Sequence, residues 1–338
     1  MQKTRIAING LGRIGRCVLR AFFEYGFDKY CDLVVVNGPA EISQHIHLIK
    51  YDSIHGTFNG QVKAIGENII DMNSYKIPLI QERDILKIDW SAYNVDIVLE
   101  CTGAFTSKEN AALHIKQGAK KVIISAPAKE KDVKTIIYGV NHDKLNTQDT
   151  VISIGSCTTN CLAPFAKVLN DSIGINKGFM TTIHSYTSDQ NILDASHSKG
   201  DMRRARAAAL SMVPTSTGAA KAIGIVIPEL DGKLDGSSIR VPTPNVSVVD
   251  LCFESAKKTT KQEVNEILTK AAGTKMNGIL SCETMPLVSS DFNHNPNSSI
   301  VDTLETKVVS DTFVRILSWY DNEWGFSVRM LDVAKIWK

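Results

Sequence analysis

The chain has 338 residues, which predicts two domains at roughly 150 residues per domain. Its 43% hydrophobic and 22% charged residues are ordinary for a globular protein and exclude collagen-like, low-complexity and disordered classes. The 38 basic and 36 acidic residues leave a net charge of +2, so no overall field attracts the chain to nucleic acid or to an anionic membrane.

Hydropathy and cysteine usage predict the cellular location. No stretch approaches the roughly 18 uninterrupted apolar residues of a membrane span, and no hydrophobic block lies between the basic residues near the N-terminus. The seven cysteines are an odd number without a paired spacing pattern, which favours reduced thiols over a disulfide framework. We therefore expect a soluble, unexported, cytoplasmic protein.

The first predicted elements are a strand, a glycine turn and a helix. Residues 4–9 form a short apolar run, and the chain then reads GLGRIG before an amphipathic stretch at residues 16–25. Further strands and a helix are predicted at residues 33–36, 95–99, 108–117 and 122–125. Strands alternating with helices indicate an α/β fold with a doubly wound, mostly parallel sheet, as in dinucleotide-binding (Rossmann) domains.

The pattern changes after residue 151. The later runs alternate between apolar and polar residues, as at residues 178–183, 238–241 and 246–253. Alternation favours an antiparallel or mixed sheet, so the second domain is predicted to be α+β. Neither an internal repeat nor a Ser/Gly-rich linker marks the boundary.

The glycines of the turn, Gly10, Gly12 and Gly15, have the spacing of a dinucleotide-binding motif. One glycine turns the chain off the strand, one lets the backbone approach a pyrophosphate, and one packs the helix against the strand. An ordinary glycine turn is the alternative, but the position between the first strand and the first helix favours dinucleotide binding. An acidic residue that takes the ribose hydroxyl of NAD is expected after the second strand, yet that strand ends in Asn37 and Gly38. The choice between NAD and NADP is therefore open.

A cysteine pair marks the start of the second half of the chain. Residues 153–164 read SIGSCTTNCLAP and predict a helix that Ser156 caps and whose first residues include Cys157. A thiol at a helix N-terminus has a lowered pKa and a larger thiolate fraction. Cys161 lies one turn further on the same face, so metal ligands, a redox pair, or one nucleophile beside one core thiol are the alternatives. A lone C-x-x-x-C is a poor zinc site, and a redox pair is spaced C-x-x-C.

A base for Cys157 is offered by His184, which follows the predicted strand at residues 178–183. A cysteine nucleophile needs a nearby base, and a histidine at a strand end can face a helix N-terminus. His45 and His47 are two residues apart and point to different faces of a helix, which argues against a metal pair. No metal site is predicted.

Three segments carry groups suited to anions: RRAR at residues 203–206, PTSTGAAK at residues 214–221, and Arg240. A short arginine run is commonly a solvated helix face or a nucleic-acid patch. Because no other basic cluster accompanies this run, a small phosphate is the favoured guest, and no specific nucleic acid is predicted. Thr217 and Gly218 precede an Ala-rich helix and supply hydroxyl and backbone donors for a phosphate.

Nine segments of the chain read NGLGRIGR, KYDSIHG, SAPAK, SCTTNCLAP, HSYTSDQ, RRARAAA, PTSTGAAKA, RVPTPNVSVVDL and WYDNEWGFS. Together they resemble the phosphorylating glyceraldehyde-3-phosphate dehydrogenase family, from about residue 4 to residue 333. The resemblance implies an NAD(P)-binding domain at residues 1–154, joined by a C-terminal helix at residues 320–338, and a catalytic domain at residues 155–319.

The resemblance also assigns roles to residues. It implies Cys157 as the nucleophile and His184 as its activating base, with substrate phosphate bound by Thr187 and Arg240. The implied residues for inorganic phosphate are Ser156, Thr158, Arg204, Thr217 and Gly218. The implied cofactor residues, beside the three glycines and Gly38, are Arg13, Ile14, Arg83, Ser125 and Asn322. Of these, Asn322 is expected at the nicotinamide carboxamide.

The implied reaction is the phosphorylating oxidation of D-glyceraldehyde 3-phosphate to 1,3-bisphosphoglycerate with NAD, in glycolysis or gluconeogenesis. It proceeds through a hemithioacetal and a thioester on Cys157. NADP is a second candidate cofactor because Gly38 replaces the usual acidic residue, and Ile154 and Gly155 also depart from the family pattern. A homotetramer is expected, since the family usually forms one.

Three other functions are alternatives. The nearest is an erythrose-4-phosphate dehydrogenase, in which hydrolysis replaces the attack of phosphate. A thiol-dependent hydrolase would use the same Cys157 and His184 but would leave the glycine motif unexplained. A nucleotide- or RNA-binding module would need no reactive thiol.

Overall fold

The computed structural model describes residues 3–130, 132–198 and 200–337. The chain divides into two compact units: Met1–Tyr138 with His142–Ser156 and Ser327–Lys338, and Gly139–Asn141 with Cys157–Phe326. The outermost residues of the predicted domains, at positions 1, 2 and 338, lie outside the described residues. The functional division at residues 154 and 320 stays a prediction.

The first unit is built on a mostly parallel sheet. Its described strands are β1 (Thr4–Asn9), β2 (Cys31–Asn37), β3 (Tyr51–Asp52), β4 (Gly56–Thr57), β5 (Val62–Ile65), β6 (Ile69–Met72), β7 (Tyr75–Ile80), β8 (Ile97–Glu100), β9 (Lys121–Ile124), β10 (Lys134–Thr135) and β11 (Val151–Ser153). Its helices before residue 156 are α1 (Arg13–Glu24), α2 (Ile42–Lys50) and α3 (Lys108–Lys116), with 3₁₀ turns at Phe27–Lys29, Ile85–Lys87, Ser91–Tyr93 and His142–Lys144.

The strand order of the main sheet is β10-β11-β9-β8-β1-β2-β7-β6-β5, and β3 pairs with β4 separately. All neighbours from β10 to β7 run parallel, while β5, β6 and β7 pair antiparallel. Ile6, Ala7 and Ile8 of central β1 are fully buried, because helices and loops cover a parallel sheet on both faces. The predicted doubly wound sheet is confirmed.

The second unit contains a mixed sheet. Its strands are β12 (Ile175–Ser185), β13 (Val213–Ser216), β14 (Leu234–Val241), β15 (Ser247–Ser255), β16 (Leu280–Glu283), β17 (Ser299–Asp302), β18 (Lys307–Val309) and β19 (Phe313–Tyr320). The helices are α4 (Cys157–Ile173), α5 (Ala219–Val226), α6 (Lys261–Ala272) and α7 (Trp324–Ile336), with 3₁₀ turns at Pro228–Leu230 and Ser289–Phe292. From Ser327 onward, α7 belongs to the first unit.

The order of this sheet is β13-β14-β12-β15-β19-β17-β16, with β18 also on β19. The pair β12 and β14 is parallel, whereas β12, β15 and β19 pair antiparallel. Along β15 the side chains of Val249, Leu251 and Phe253 are buried and those between them are half-buried, which is the predicted alternation. The mixed sheet and the α/β class are therefore confirmed.

Two further predictions concern the whole chain. All seven cysteines are free thiols, as predicted. None of the described helices combines the length and the apolar character that crossing a bilayer requires.

Candidate active site and cofactor-binding residues

The glycine turn between β1 and α1 has the shape that a phosphate cradle needs. Gly10 has φ +97°, and a Cβ atom there would lie 2.7 Å from Cγ2 of Thr102. A Cβ atom at Gly15 would overlap the carbonyl oxygen of Gly10, so that glycine permits the close packing of α1 on β1. At Gly12, by contrast, a Cβ atom would meet no described atom within 4 Å. The open backbone at Gly12, at the start of α1, fits a pyrophosphate.

Helix α1 begins at Arg13, three residues earlier than the amphipathic pattern predicts, because Gly12 already serves as its N-cap. Arg13 forms a two-pronged ion pair with Asp52, with Nη1–Oδ2 at 2.6 Å and Nη2–Oδ1 at 3.2 Å. Burial opposes ionisation of Asp52, but the hydrogen bonds from Arg13, His55 and Ile54 outweigh it and hold the pKa of that carboxyl well below its usual range. Asp52 thus fixes the direction of the Arg13 guanidinium.

The other predicted cofactor residues of the first unit are less constrained. Ile14 is half-buried in the first turn of α1, and Arg83 is exposed, with its backbone N–H donating to Glu82. Ser125 follows β9, and its N–H donates to the carbonyl of Glu100 at 3.0 Å. Because it follows β9, Ser125 lies at the carboxyl end of the parallel strands, where open α/β sheets bind ligands.

A buried polar network at the carboxyl ends of β1 and β8 escaped the sequence analysis. Glu100 is 1% exposed and accepts hydrogen bonds from Asn9 Nδ2 at 2.6 Å and from His114 Nε2 at 2.9 Å. Trp90 donates to His114 Nδ1 at 3.1 Å, so the proton of this ring sits on Nε2 and the imidazole is neutral. Asn37 donates to Asn9 Oδ1 at 2.8 Å and ties the end of β2 to the network. No sequence motif joins these residues, which the sheet brings together.

In the second unit, Cys157 is the first residue of α4, and His184 lies near the end of β12. The two side chains meet, with Cys157 Sγ 3.5 Å from His184 Nε2. The histidine is 4% exposed, while the thiol is partly accessible. The predicted cysteine–histidine contact is therefore present in the structure.

Two contacts at the second ring nitrogen bear on the tautomer of His184. Its Nδ1 lies 2.7 Å from the carbonyl oxygen of Ser185, an acceptor, and 3.0 Å from Arg240 Nη1, a donor. The shorter contact is with the acceptor, which favours the proton on Nδ1. Arg240 Nη1 donates to the same carbonyl at 2.9 Å. With Nδ1 protonated, Nε2 presents a lone pair to the Cys157 thiol. This arrangement lets His184 accept the thiol proton.

The charge states differ from the sequence prediction. Burial and then the Arg240 charge lower the pKa of His184 to about 3, so the resting imidazole is neutral. Burial raises the pKa of the Cys157 thiol above its usual value, although the Arg240 charge and hydrogen bonds from Thr158 oppose that rise. This direction is opposite to the lowered thiol pKa predicted from the helix N-terminus, because desolvation outweighs the Arg240 charge and the hydrogen bonds at the start of α4.

The predicted residues for substrate phosphate, Thr187 and Arg240, lie together. Arg240 Nη1 lies 3.4 Å from Thr187 Oγ1, and β14 places Arg240 directly beside His184 of β12. Arg240 Nε is buried and has no hydrogen-bond partner among the described residues. A buried donor without an acceptor costs free energy, so this nitrogen fits an anionic ligand.

The predicted residues for inorganic phosphate are partly occupied by other contacts. Arg204 pairs with Asp189, and its Nε donates to Thr215 Oγ1 at 3.1 Å. Its charge also lowers the pKa of His184, after the larger effects of burial, Arg240 and Ser185. Thr158 is buried, and its hydroxyl lies 2.9 Å from Tyr320 Oη. Ligand binding at Arg204 would therefore compete with Asp189.

The remaining predicted anion groups lie at helix starts. Gly218 is the N-cap of α5, and a Cβ atom there would meet no described atom within 4 Å. Thr217 Oγ1 accepts from the N–H of Ala219 at 3.2 Å. Ser156 is half-buried and immediately precedes α4. The open space at Gly218 leaves room for a phosphate oxygen at the start of α5.

Two residues from the C-terminal motif complete this cluster. Tyr320 escaped the sequence analysis: its hydroxyl bonds Thr158 and Thr182 at 2.9 Å each, and its ring packs edge-on against His184 with centroids 5.9 Å apart. Asn322 Oδ1 accepts from Ser185 Oγ at 2.8 Å and from Ser247 Oγ at 2.9 Å. The Asn322 amide group is thereby oriented with its NH₂ side away from both serines. An NH₂ group fits a carbonyl acceptor such as a carboxamide oxygen.

The two residues before Ser156 that depart from the family pattern differ in their surroundings. Ile154 is fully buried, and its N–H donates to the carbonyl of Ile124 at 3.2 Å. Gly155 has φ +67°, a conformation that glycine adopts without strain. Neither residue adds a charged group before α4.

Comparison with known proteins gives a consistent result over nearly the whole chain. Residues 4–108 match the family "Glyceraldehyde 3-phosphate dehydrogenase, NAD binding domain", and residues 156–322 match "Glyceraldehyde 3-phosphate dehydrogenase, C-terminal domain". The chain is 55% identical over 330 residues to the glyceraldehyde-3-phosphate dehydrogenase of Xanthobacter flavus, covering 98% of this chain and 97% of that one. With the same coverage, it is 56% identical to the enzyme of that name from Cereibacter sphaeroides.

A third relative, glyceraldehyde-3-phosphate dehydrogenase 1 of Bacillus subtilis, is 51% identical over 331 residues, or 98% of this chain and 97% of that one. The NAD-binding domain match and the cysteine–histidine pair define the class as an NAD-dependent oxidoreductase that acts on an aldehyde. Within that class, the chain belongs to the glyceraldehyde-3-phosphate dehydrogenase family.

Proposed function

We propose that the chain oxidises D-glyceraldehyde 3-phosphate to 1,3-bisphosphoglycerate, using inorganic phosphate and NAD. The relatives that match this chain over 97% of their own length are named glyceraldehyde-3-phosphate dehydrogenases. The observation that carries the proposal is the 3.5 Å contact between Cys157 Sγ and Nε2 of His184, whose lowered pKa keeps the imidazole neutral. A thiol beside a base, with a half-buried arginine next to it, suits an aldehyde that bears a phosphate.

The proposed reaction begins with the thiol of Cys157. His184 accepts the thiol proton at Nε2 while sulfur bonds the aldehyde carbon, and the proton then neutralises the new oxyanion as a hemithioacetal. His184 next removes the hydroxyl proton as the C–H electron pair leaves, which gives a thioester on Cys157. A nicotinamide cofactor bound here would supply the acceptor for that electron pair and its hydrogen.

The proposed second half-reaction consumes the thioester. A phosphate oxygen attacks the acyl carbon, the C–S bond breaks, and the departing thiolate takes back the proton held on His184 Nε2. We assign the substrate phosphate to Arg240 and Thr187, because Arg240 has a buried donor free to bind it. We assign inorganic phosphate to the groups around Arg204, Thr217 and the start of α4, where Arg204 would exchange Asp189 for the ligand.

The choice of cofactor is the finer part of the proposal. The glycine turn fits the pyrophosphate shared by NAD and NADP, and Gly38 brings no carboxylate to the ribose. No Arg or Lys lies within residues 37–44 to select a 2′-phosphate, and Glu41 would oppose one. We therefore propose NAD as the preferred cofactor, with measurable use of NADP.

We also propose a cytoplasmic homotetramer. The free thiols suit a reducing compartment. Five large apolar side chains near residues 192–212 are between 70% and 86% exposed, as expected of surfaces that pair in an oligomer: Ile192, Leu193, Met202, Leu210 and Met212. Analytical ultracentrifugation tests the tetramer, and a monomer at micromolar concentration would contradict it.

Steady-state kinetics test the proposed reaction. Glyceraldehyde 3-phosphate is offered with NAD or NADP, with inorganic phosphate present or absent, and erythrose 4-phosphate is the competing substrate. We expect turnover of glyceraldehyde 3-phosphate that depends on phosphate. Phosphate-independent oxidation of erythrose 4-phosphate at a higher kcat/KM would replace this proposal with the alternative dehydrogenase.

A further inference from the structure

The end of β2 is closed by a side chain from the following helix. The side chain of His45, in α2, is 5% exposed and turns back so that Nε2 lies 3.1 Å from the carbonyl oxygen of Gly38. Because that oxygen can only accept, Nε2 carries the ring proton and Nδ1 keeps its lone pair. Among the described residues, His45 Nδ1 has no hydrogen-bond partner.

Gly38 is a glycine for a reason of space. Its backbone is not in the left-handed region, so its φ does not require a glycine. A Cβ atom there, however, would lie 2.7 Å from both Cε1 and Nε2 of His45, and 3.2 Å from Cβ of Leu11 in the glycine turn. The imidazole therefore occupies the volume into which any side chain of residue 38 would project.

That volume has a defined place in a dinucleotide-binding fold. The residue after the second strand is where a carboxylate takes the ribose hydroxyl of NAD and repels the 2′-phosphate of NADP. Here the same place holds a ring that burial keeps neutral, since burial lowers the pKa of His45 despite the hydrogen bond to Gly38. A neutral ring with an available lone pair can accept from a hydroxyl, and it repels a phosphate less than a carboxylate does.

Building on the proposed cofactor binding, we propose that His45 is the specificity-determining residue at the adenosine ribose, in place of a carboxylate at residue 38, for which the imidazole leaves no room. Gly38 and His45 form one unit: a carboxylate at residue 38 becomes useful only when the imidazole is removed. The alternative is a site in which another residue binds the ribose and Gly38 only leaves empty space beside it.

Binding of two probes to the full-length protein tests this without turnover. 5′-ADP and 2′,5′-ADP are isomers whose second phosphate lies on the 5′-phosphate or on the 2′-oxygen, so a change in the ratio of their affinities between variants reports the 2′ position. Isothermal titration gives these affinities, while the melting temperature reports packing. The variants are Gly38→Asp, His45→Ala and the double variant. His47→Ala is the matched control, because His47 lies in the same helix but is exposed.

We expect Gly38→Asp alone to melt at a lower temperature and to bind both probes about tenfold or more weakly, since the new side chain and the imidazole overlap. His45→Ala should shift the ratio of affinities toward 2′,5′-ADP. The double variant should recover the melting temperature lost by Gly38→Asp and prefer 5′-ADP about tenfold more than the unaltered protein. His47→Ala should match the unaltered protein in both measurements.

Two results for Gly38→Asp alone would together overturn the inference: a melting temperature equal to that of the unaltered protein, and a preference for 5′-ADP as strong as that of the double variant. It would equally fail if His45→Ala changed neither affinity. In both cases binding by the unaltered protein would leave the proposed function intact. Failure of the unaltered protein to bind either probe would instead contradict the proposed cofactor site, and this inference with it.

Discussion

The two candidate sites differ in whether backbone geometry or ionisable side chains form them. At the glycine turn of the first unit, backbone geometry and packing create the site: a positive φ at Gly10, an open backbone at Gly12 and a ring packed on Gly38. At the start of α4 in the second unit, ionisable side chains create the site, and each sets the charge of the next. Changes at the backbone-built site should therefore alter binding and stability, whereas changes at the side-chain-built site should alter turnover.

The sharpest way to break this contrast is Cys157→Ser. We expect turnover to fall at least about 10³-fold, because a serine hydroxyl ionises too weakly beside a neutral imidazole to replace the thiol. Cofactor affinity, measured by titration calorimetry, should remain nearly unchanged. Loss of that affinity would show that the two kinds of site are not separable.

Cys161→Ser is the matched control for that variant. Cys161 is fully buried one turn along α4, and burial raises the pKa of its thiol to about 12. We expect this variant to keep its turnover and to lose about 1–2 kcal/mol of stability through burial of a more polar group. A turnover loss as large as that of Cys157→Ser would remove the distinction between nucleophile and core thiol.

His184→Asn is expected to lower turnover by about 10²- to 10⁴-fold through loss of the base. Because the resting pair is a thiol and a neutral imidazole, the variant loses a proton acceptor rather than an ion pair. Alkylation of Cys157 by iodoacetamide should slow as well, and its rate is measured with the unaltered protein as reference. Equal alkylation rates in both proteins would end the pairing of the two residues.

Arg240→Leu and Arg204→Leu compare the two anion groups within the second unit. We expect Arg240→Leu to raise the KM for the phosphorylated aldehyde about 10- to 100-fold, and Arg204→Leu to raise the KM for inorganic phosphate by a smaller factor. Arg240→Leu should also move the alkylation profile of Cys157 to higher pH, because the Arg240 charge lowers the pKa of that thiol. Identical kinetic profiles for the two variants would mean that the assignment of the two phosphates is wrong.

The contrast also explains what could be read from the sequence. Glycine positions depend on local backbone geometry, so the turn at Gly10 and its place between strand and helix were predictable, as were the positions of Cys157 and His184 at element ends. The charge states were not, because they depend on burial and on charges from residues far along the chain, such as Tyr320, which packs against His184, and Arg240, whose charge lowers the pKa of that histidine. The reason why residue 38 is a glycine could not be read from the sequence either. It depends on the side chain of His45 in α2, which packs against Gly38.

The smallest expected effect concerns the pair of Arg13 and Asp52 in the first unit. Hydrogen bonds hold the pKa of Asp52 below its ordinary value in the folded chain, so its carboxylate stabilises the fold at every pH above the unfolded value, near 3.8. This contribution disappears as the pH falls through the lower, folded pKa. We therefore expect Asp52→Asn to lose about 1–2 kcal/mol of stability at pH 7 and at pH 5, and the gap in melting temperature to shrink below about pH 4.

The control for this last comparison is a variant of Asp132, an exposed residue that forms an ion pair with Lys108. Asp132→Asn removes an ion pair of the same kind from the surface, where such pairs contribute little, so its melting temperature should stay close to that of the unaltered protein. A gap for Asp52→Asn that persists unchanged to pH 3 would contradict the ion pair as its cause. The loss of stability in the variant would then come from packing alone. The ion pair between Arg13 and Asp52 would contribute no measurable stability to the backbone-built site.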